Sequence, residues 1–342
     1  MISKNLLIIS PKTYNYHNII IKSAEKLDYK VEWIDDRPFD NLIYKIISRY
    51  LNFLGRKISI KFYIKRIKEF KLRKINFETA LVIKGESVHP EVIKFIKKSF
   101  PNIKLVFYYW DSFINVPNPL ILSKYFDKCI TFDLLDAKKK NWKYIPLFAG
   151  NISGGDTKKK SKKFLISFVG VFHSDRLNII GKFISNFSYP CKNNISDNVL
   201  KLDDDIDFFF YLYFPSLFHR LKAFLKNPIY YLKFSEYFHA LPLDSKIMSE
   251  IYKMSNAVLD INHPSQFGFT MRTYETLCSK KKLITTNYLI NKTSFFDKSR
   301  IKIINRKDIK IDKNFLFMPF LPLTSNEINS LSPRIWLANV LD

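Results

Sequence analysis

Between Ser255 and Asn287 the chain reads SNAVLDINHPSQFGFTMRTYETLCSKKKLITTN. Arg272 and Glu275 stand about one helical turn apart there, just past a loop that holds Gly268 and Thr270. A guanidinium can clamp a diphosphate in bidentate fashion, and a carboxylate can accept hydrogen bonds from a ribose diol. To position them, the pattern predicts a buried strand from Ala257 to Ile261, the loop, an amphipathic helix and a second apolar strand from Leu283 to Thr286. The start of such a helix presents unpaired N–H groups and a partial positive charge, which favour phosphate oxygens. The unit is suited to a nucleotide diphosphate, with Gln266 and Thr270 as polar neighbours. His263 either contacts phosphate or sugar or belongs to a turn fixed by Pro264.

Other stretches offer chemistry of their own. FVGVFHSDR, Phe168 to Arg176, is a strand ending at Gly170, a short loop and a helix start. A glycine there lets backbone approach a phosphate closely, and His173 and Arg176 supply donors; the plainer reading is a helix entry with Asp175 near the N-cap and Arg176 solvated. YYWDS puts Asp111 just past the C-terminal end of a strand, where open α/β sheets place their ligands. Asp111 could deprotonate an acceptor hydroxyl, with Trp110 or Tyr109 stacked on a sugar face, or it could cap a turn before Pro117. KGESVHPE fills the analogous loop after the preceding strand; Glu86 is a second candidate base or acceptor ligand, and His89 before Pro90 reads as structural. LDDDIDFFF, Leu202 to Phe210, suggests a metal pair, but its acids precede the strand instead of following it. No metal and no cofactor is expected.

The 342 residues exceed what one hydrophobic core usually organises, and 47% apolar and 16% aromatic content supplies two. The net charge of +25 rests on 45 Lys and only 11 Arg. Readers of nucleic acid favour Arg for bidentate contacts, so nucleic acid is not an expected partner. A charge this large still attracts anionic surfaces. The basic, aromatic-interleaved stretch Asn41 to Lys74 could lie on an anionic membrane with Phe53, Phe62 and Tyr63 near the acyl boundary, or form packed helices with a Lys-rich outer face. Cys129, Cys191 and Cys278 are odd in number and widely spaced, which fits a reducing compartment. The N-terminus MISKNLLIISPKTY does not read as a signal peptide, so a cytoplasmic protein, at most peripheral on the membrane, is expected.

Continuous apolar runs at Leu6 to Ile9, Val31 to Ile34, Ala80 to Ile83, Leu105 to Tyr109, Ile130 to Phe132 and Tyr144 to Leu147 alternate with helical patterns at Asn18 to Leu27, Pro90 to Phe100 and Leu134 to Asn141. That alternation predicts a doubly wound parallel sheet over residues 1–150. FAGNISGGDTKKKSKK marks a linker, residues 151–163, before a second domain over 164–325 with strands at Phe164, Phe208 to Phe214, Ala257 to Ile261, Leu283 to Thr286 and Ile301 to Ile304. Residues 326–342 end in a helix with Ser332 as N-cap and Pro333 in its first turn.

HPSQFGFTMRTYETL followed by KKLITTN resembles the nucleotide-sugar loop and helix of GT-B glycosyltransferases, most nearly the spore maturation protein CgeB-like group of polysaccharide and lipopolysaccharide biosynthesis. The resemblance is specific over Asn256 to Asn287. It implies two Rossmann-like domains facing across a cleft, with the last helix crossing back to the first. It also implies a nucleotide-diphosphate sugar as donor and a saccharide or lipid-linked acceptor on the first domain. Glu275 matches the second Glu of the family motif, which holds the ribose; where the first would stand, this chain has Ser265, Gln266 and Phe267. The resemblance puts the Gly170 loop beside the donor diphosphate and a catalytic His near His17, here read as a surface residue. A polyol-phosphate transferase and a noncatalytic polyanion- or membrane-binding protein on the same fold are the rival readings.

Overall fold

The computed structural model describes residues 4–37, 52–150, 164–185, 195–196, 199–200, 206–310 and 313–342. The expected linker 151–163, the acids Asp203 to Asp205 and the first part of Asn41 to Lys74 lie outside them. The chain divides into two compact units, Met1–Gly150 with Ser330–Asp342, and Asn151–Asn329.

The first unit runs β1 (Lys4–Ser10), α1 (Tyr16–Glu25), β2 (Tyr29–Asp35), α2 (Asn52–Leu72), β3 (Thr79–Ile83), α3 (Pro90–Ser99), β4 (Lys104–Tyr109), a 3-10 turn at Asn118–Tyr125, β5 (Lys128–Thr131), α4 (Leu134–Lys140) and β6 (Lys143–Tyr144). The strands pair in parallel in the order β2-β1-β3-β4-β5-β6. Both faces are covered, so the central strands are apolar without alternation; all five residues of β3 are buried. The last strand covers Lys143 and Tyr144 instead of Tyr144 to Leu147, with the Ile145 N–H still donating to the Thr131 carbonyl at 3.1 Å.

α2 fixes where Tyr63 and Phe62 of the basic stretch lie. Ser59, Tyr63, Ile67 and Phe70 form one buried stripe at helical spacing. Tyr63 is therefore a core residue, its hydroxyl donating to the Asp35 carbonyl at 3.4 Å, and it cannot sit at an acyl boundary. Phe62 is partly buried against the same core, and the lysines of α2 face outward.

The second unit contains β7 (Phe164–Val171), α5 (Arg176–Ser185), a small antiparallel pair β8 (Ile195–Ser196) and β9 (Val199–Leu200), and β10 (Ile206–Tyr213). It continues through α6 (Leu217–Lys226), α7 (Pro228–Lys233), β11 (Phe238–His239), α8 (Ser245–Met254), β12 (Ser255–Asp260), α9 (Met271–Cys278), β13 (Lys282–Thr285), β14 (Ile301–Ile303), α10 (Lys313–Phe317) and α11 (Ser325–Ser330). Its main sheet is again six parallel strands, in the order β11-β10-β7-β12-β13-β14. The order reverses direction at β7 and β12, and open α/β sheets bind ligands outside the strand C-termini at such a switch point. In the first unit the corresponding point lies at β1 and β3.

The chain ends in α12 (Pro333–Leu341), which belongs to the first unit and packs on α1 and β4. Ser332 caps it, accepting from the Ile335 N–H at 3.3 Å. Lys104 and Lys128 donate to the carbonyls of Leu341 and Val340 at 3.0 and 3.1 Å, neutralising the negative end of the helix.

Candidate active site

At the switch point of the second unit, Thr270 sits at the N-cap of α9 and accepts from the Thr273 N–H at 3.3 Å. Both threonine hydroxyls also donate to one oxygen of Asp260, at 2.9 and 2.7 Å, which ties the helix start to the end of β12. Asp260 is almost wholly buried, and among the described residues no hydrogen bond reaches its other oxygen. Arg272 compensates that charge from 3.5 Å. The same guanidinium donates to the Tyr252 hydroxyl at 3.0 Å and to the Val169 carbonyl, so α8, β7, β12 and α9 meet on one side chain.

Arg176 is buried instead of solvated. It donates twice to the Ile261 carbonyl, at 3.0 and 2.6 Å, and once to that of Val171 at 2.8 Å. Its guanidinium and that of Arg272 lie 5.6 and 5.2 Å from the centroid of the Phe168 ring. A Cβ on Gly170 would come within 2.7 Å of that ring and 3.2 Å of Arg176. Packing thus already requires glycine at 170, and Arg176 joins the β7 and β12 loops.

His173 and His263 bring their rings to 5.4 Å, each with Nδ1 on a neighbouring serine hydroxyl, Ser174 and Ser265. Arg306 grips Asp175 with Nη1 at 2.9 and 3.0 Å, and its other nitrogen donates to Asn262 at 2.7 and 2.6 Å. Asn262 in turn donates to the Gln266 carbonyl at 2.7 Å, and Asn287 to that of Phe267 at 3.0 Å, so the loop carrying Gln266 and Gly268 is held along its length. Burial, then Arg176, His263, Arg272 and Arg306, push His173 down to about 2. Burial opposes charge of either sign, but the part of that shift that comes from Arg176, Arg272 and Arg306 has the sign that attracts an anion. Glu275, one turn beyond Arg272, is buried near Tyr252 and Cys278; burial first, and then the Glu275 charge, push the Cys278 thiol up to about 11.

The first unit gathers a second set of charges. Lys84 and Gly85 both adopt left-handed backbone, with φ of 69° and 71°, directly after β3. For a lysine this is an uncommon and costly conformation. It brings Nζ to 3.0 Å from Glu86 and 3.4 Å from Asp111, joining the two sequence-derived candidate bases through one cation. Burial acts to raise Glu86, but Lys84 and Arg37 outweigh it and hold the carboxyl below its ordinary value. Tyr109 lies in the core, with its hydroxyl on the Val116 carbonyl, so Trp110 alone of the two aromatics retains partial exposure. His17 is buried instead of lying on the surface, its ring 4.8 Å from that of Trp33 and its Nδ1 without a hydrogen-bond partner among the described residues; burial, then Lys12, lowers its pKa.

Asp36 went unnoticed in the sequence. It is fully buried just after β2 and accepts from the Glu86 and Ser87 N–H groups at 2.8 and 3.1 Å. Burial raises it from 3.8 to about 6 despite those bonds. Because the folded value lies above the ordinary one, the folded chain holds more protons between those two pH values, and Asp36's contribution to stability falls as pH rises through that window. The full change is on the order of 3 kcal/mol. Asp36→Asn should therefore reduce the pH dependence of the unfolding free energy across the window, measured by urea titration at several pH values. An unchanged slope would show that Asp36 titrates normally.

No protein-family model matches the chain, and no curated protein matches it in sequence. Among solved structures it is similar to OtsA in its apo form, with a TM-score of 0.51 at 11% identity over 98% of this chain and 96% of that one. Os79 from O. sativa in complex with UDP gives a TM-score of 0.47 at 8% identity, covering 99% and 94% of the two chains. Os79 with UDP and deoxynivalenol-3-glucoside gives 0.46 at 8%, with the same coverage. The likeness to OtsA, with two six-stranded parallel sheets and a terminal helix returned to α1, defines the fold as GT-B-like.

Proposed function

We propose that the chain is a glycosyltransferase that takes a nucleotide-diphosphate sugar on its second unit and a saccharide or lipid-linked acceptor on its first. The observation that supports this most is the convergence of Arg272, Arg306, His173 and His263 on the β7–β12 switch point, beside the start of α9. Positive charge and helix N–H groups there would stabilise the departing diphosphate while the bond from the anomeric carbon to its oxygen breaks. Glu275 would accept hydrogen bonds from the ribose, and Gln266, Gly268 and Thr270 would line the donor.

In the first unit Asp111 is the proposed base, taking the proton from the acceptor hydroxyl as its oxygen bonds to the anomeric carbon. Glu86, held charged by Lys84 and Arg37, is better suited to accept a hydrogen bond from a second acceptor hydroxyl. A role in surface polysaccharide or lipopolysaccharide assembly, in the manner of the CgeB-like group, rests on the resemblance of Asn256 to Asn287.

A thermal-shift titration with UDP, GDP, CDP and dTDP tests the donor half. Ligand that binds only the folded state adds RT ln(1 + [L]/Kd), about 2.7 kcal/mol at ~100 Kd. One nucleotide should raise the melting temperature clearly above the rest, and its sugar conjugates then identify the donor. No shift with any of them would defeat the reading.

A further inference from the structure

The basic stretch of α2 turns Tyr63 and Phe70 inward, and another segment does the reverse. α6 and α7 lie on the surface of the second unit with Ala223 as the only buried residue of the pair. Leu217, Phe218, Leu221 and Leu225 are all exposed, Leu217 to 82% and Leu225 to 71%. At 3.6 residues per turn these four, with Phe224, occupy an arc of about 120° opposite Ala223. Ile229 and Leu232 of α7 extend the apolar surface, at 73% and 66% exposure.

The pair is anchored from beneath, so this face is not a helix waiting to pack. Asn227 caps α7, accepting from the Tyr230 N–H at 3.0 Å, and donates to Asn178 of α5 at 3.0 Å. Tyr230 and Phe234 close over Gly181, where a Cβ would come within 2.5 and 2.9 Å of their rings. Tyr231 packs on the same core. The inner face is fixed and the outer one remains apolar.

Charge identifies the occupant. From Phe208 to Ser235 the chain carries Arg220, Lys222, Lys226 and Lys233 and no acidic residue. On α6 these cations flank the apolar arc, Arg220 on one side and Lys222 and Lys226 on the other. Among the described residues no helix is long and apolar enough to cross a membrane. We propose that α6 and α7 form a docking surface for an anionic phospholipid bilayer, lying in the interface with leucine and phenylalanine side chains below the headgroups and the cations among them. A two-fold pairing of copies would instead set these cations against one another with no acid in the segment to neutralise them.

The test is co-sedimentation of the full chain with vesicles of phosphatidylcholine, with and without phosphatidylglycerol, at physiological ionic strength and without nucleotide. It is therefore independent of the donor assignment. The chain should bind the anionic vesicles and leave the neutral ones. Leu217→Ser with Leu221→Ser and Leu225→Ser, and separately Lys222→Glu with Lys226→Glu and Lys233→Glu, should each weaken partitioning on the order of tenfold or more. Lys61→Glu with Lys65→Glu and Lys68→Glu on α2 removes the same charge and should retain most of the binding. Circular dichroism melts confirm that each variant is folded. Equal loss in the α2 variant would mean that net charge alone drives adsorption, and unchanged binding of the serine variant would remove the surface from consideration. A concentration-dependent dimer that the serine variant dissolves, with no vesicle binding by the wild type, would give the face to a second copy; any one of these three results overturns the proposal.

Discussion

Replacing Arg272 with Ala should lower the stability of the second unit by about 3–5 kcal/mol, the range for removing one partner of a buried ion pair. The side chain holds four elements together, and without it Asp260 keeps two threonine hydroxyls but no cation. The Tyr252 hydroxyl and the Val169 carbonyl lose their donor in the same step. A companion change separates charge from packing. With Asp260→Asn added, the uncompensated carboxylate is gone and part of the loss should return, which a double-mutant cycle measures as coupling. Urea unfolding of the wild type, both single variants and the double gives the cycle. A single variant as stable as wild type, or strictly additive effects, would show that the 3.5 Å pair contributes nothing.

Trp336→Ala is expected to have a comparable effect in the first unit, about 3–5 kcal/mol. The ring is almost wholly buried on α12, with the rings of Tyr108 and Phe148 centred 4.9 and 4.7 Å away. Leu337 and Val340 bury the rest of that face. The cavity would loosen a helix that also depends on Lys104 and Lys128 at its C-terminal end. Burial, then Lys143 and Lys104, push Lys128 down to about 8, so those lysines already stand close together. Differential scanning calorimetry should show a transition moved to lower temperature. A thermogram unchanged from wild type would mean that the terminal helix is an accessory to the first unit and not part of its core.

The strands were legible because a parallel sheet covered on both faces needs runs such as Leu6 to Ile9 and Ala80 to Ile83, apolar at every position. Thr270, Arg272 and Glu275 were legible for a different reason: a helix start and its first turns are local, so spacing alone places them together. The partners of those residues were hidden. Arg176 meets a carbonyl 85 residues away, and Arg306 reaches Asp175 across 131. Only the strand order makes these contacts, and no periodicity encodes it. Asp36 was hidden likewise, since its partners Glu86 and Ser87 come from the neighbouring connection. The basic amphipathic segments show the limit most clearly. α2 and α6 both interleave Lys with large apolar residues, yet α2 faces Tyr63 inward and α6 faces Leu217 outward. An amphipathic pattern defines two faces of a helix, but the neighbours decide which one is covered.

The central claim, that the second unit binds a nucleoside diphosphate through its phosphates and ribose, is tested most directly by calorimetric titration of wild type and Glu275→Gln with the nucleotide that stabilises the fold, and with pyrophosphate. Glu275→Gln preserves shape and removes a charged acceptor, a change of about 1.5–3 kcal/mol per hydrogen bond. The nucleoside diphosphate should then bind the variant at least tenfold more weakly, with pyrophosphate affinity unchanged. Equal nucleotide affinity in the two proteins, or no binding to folded wild type, would contradict the assignment.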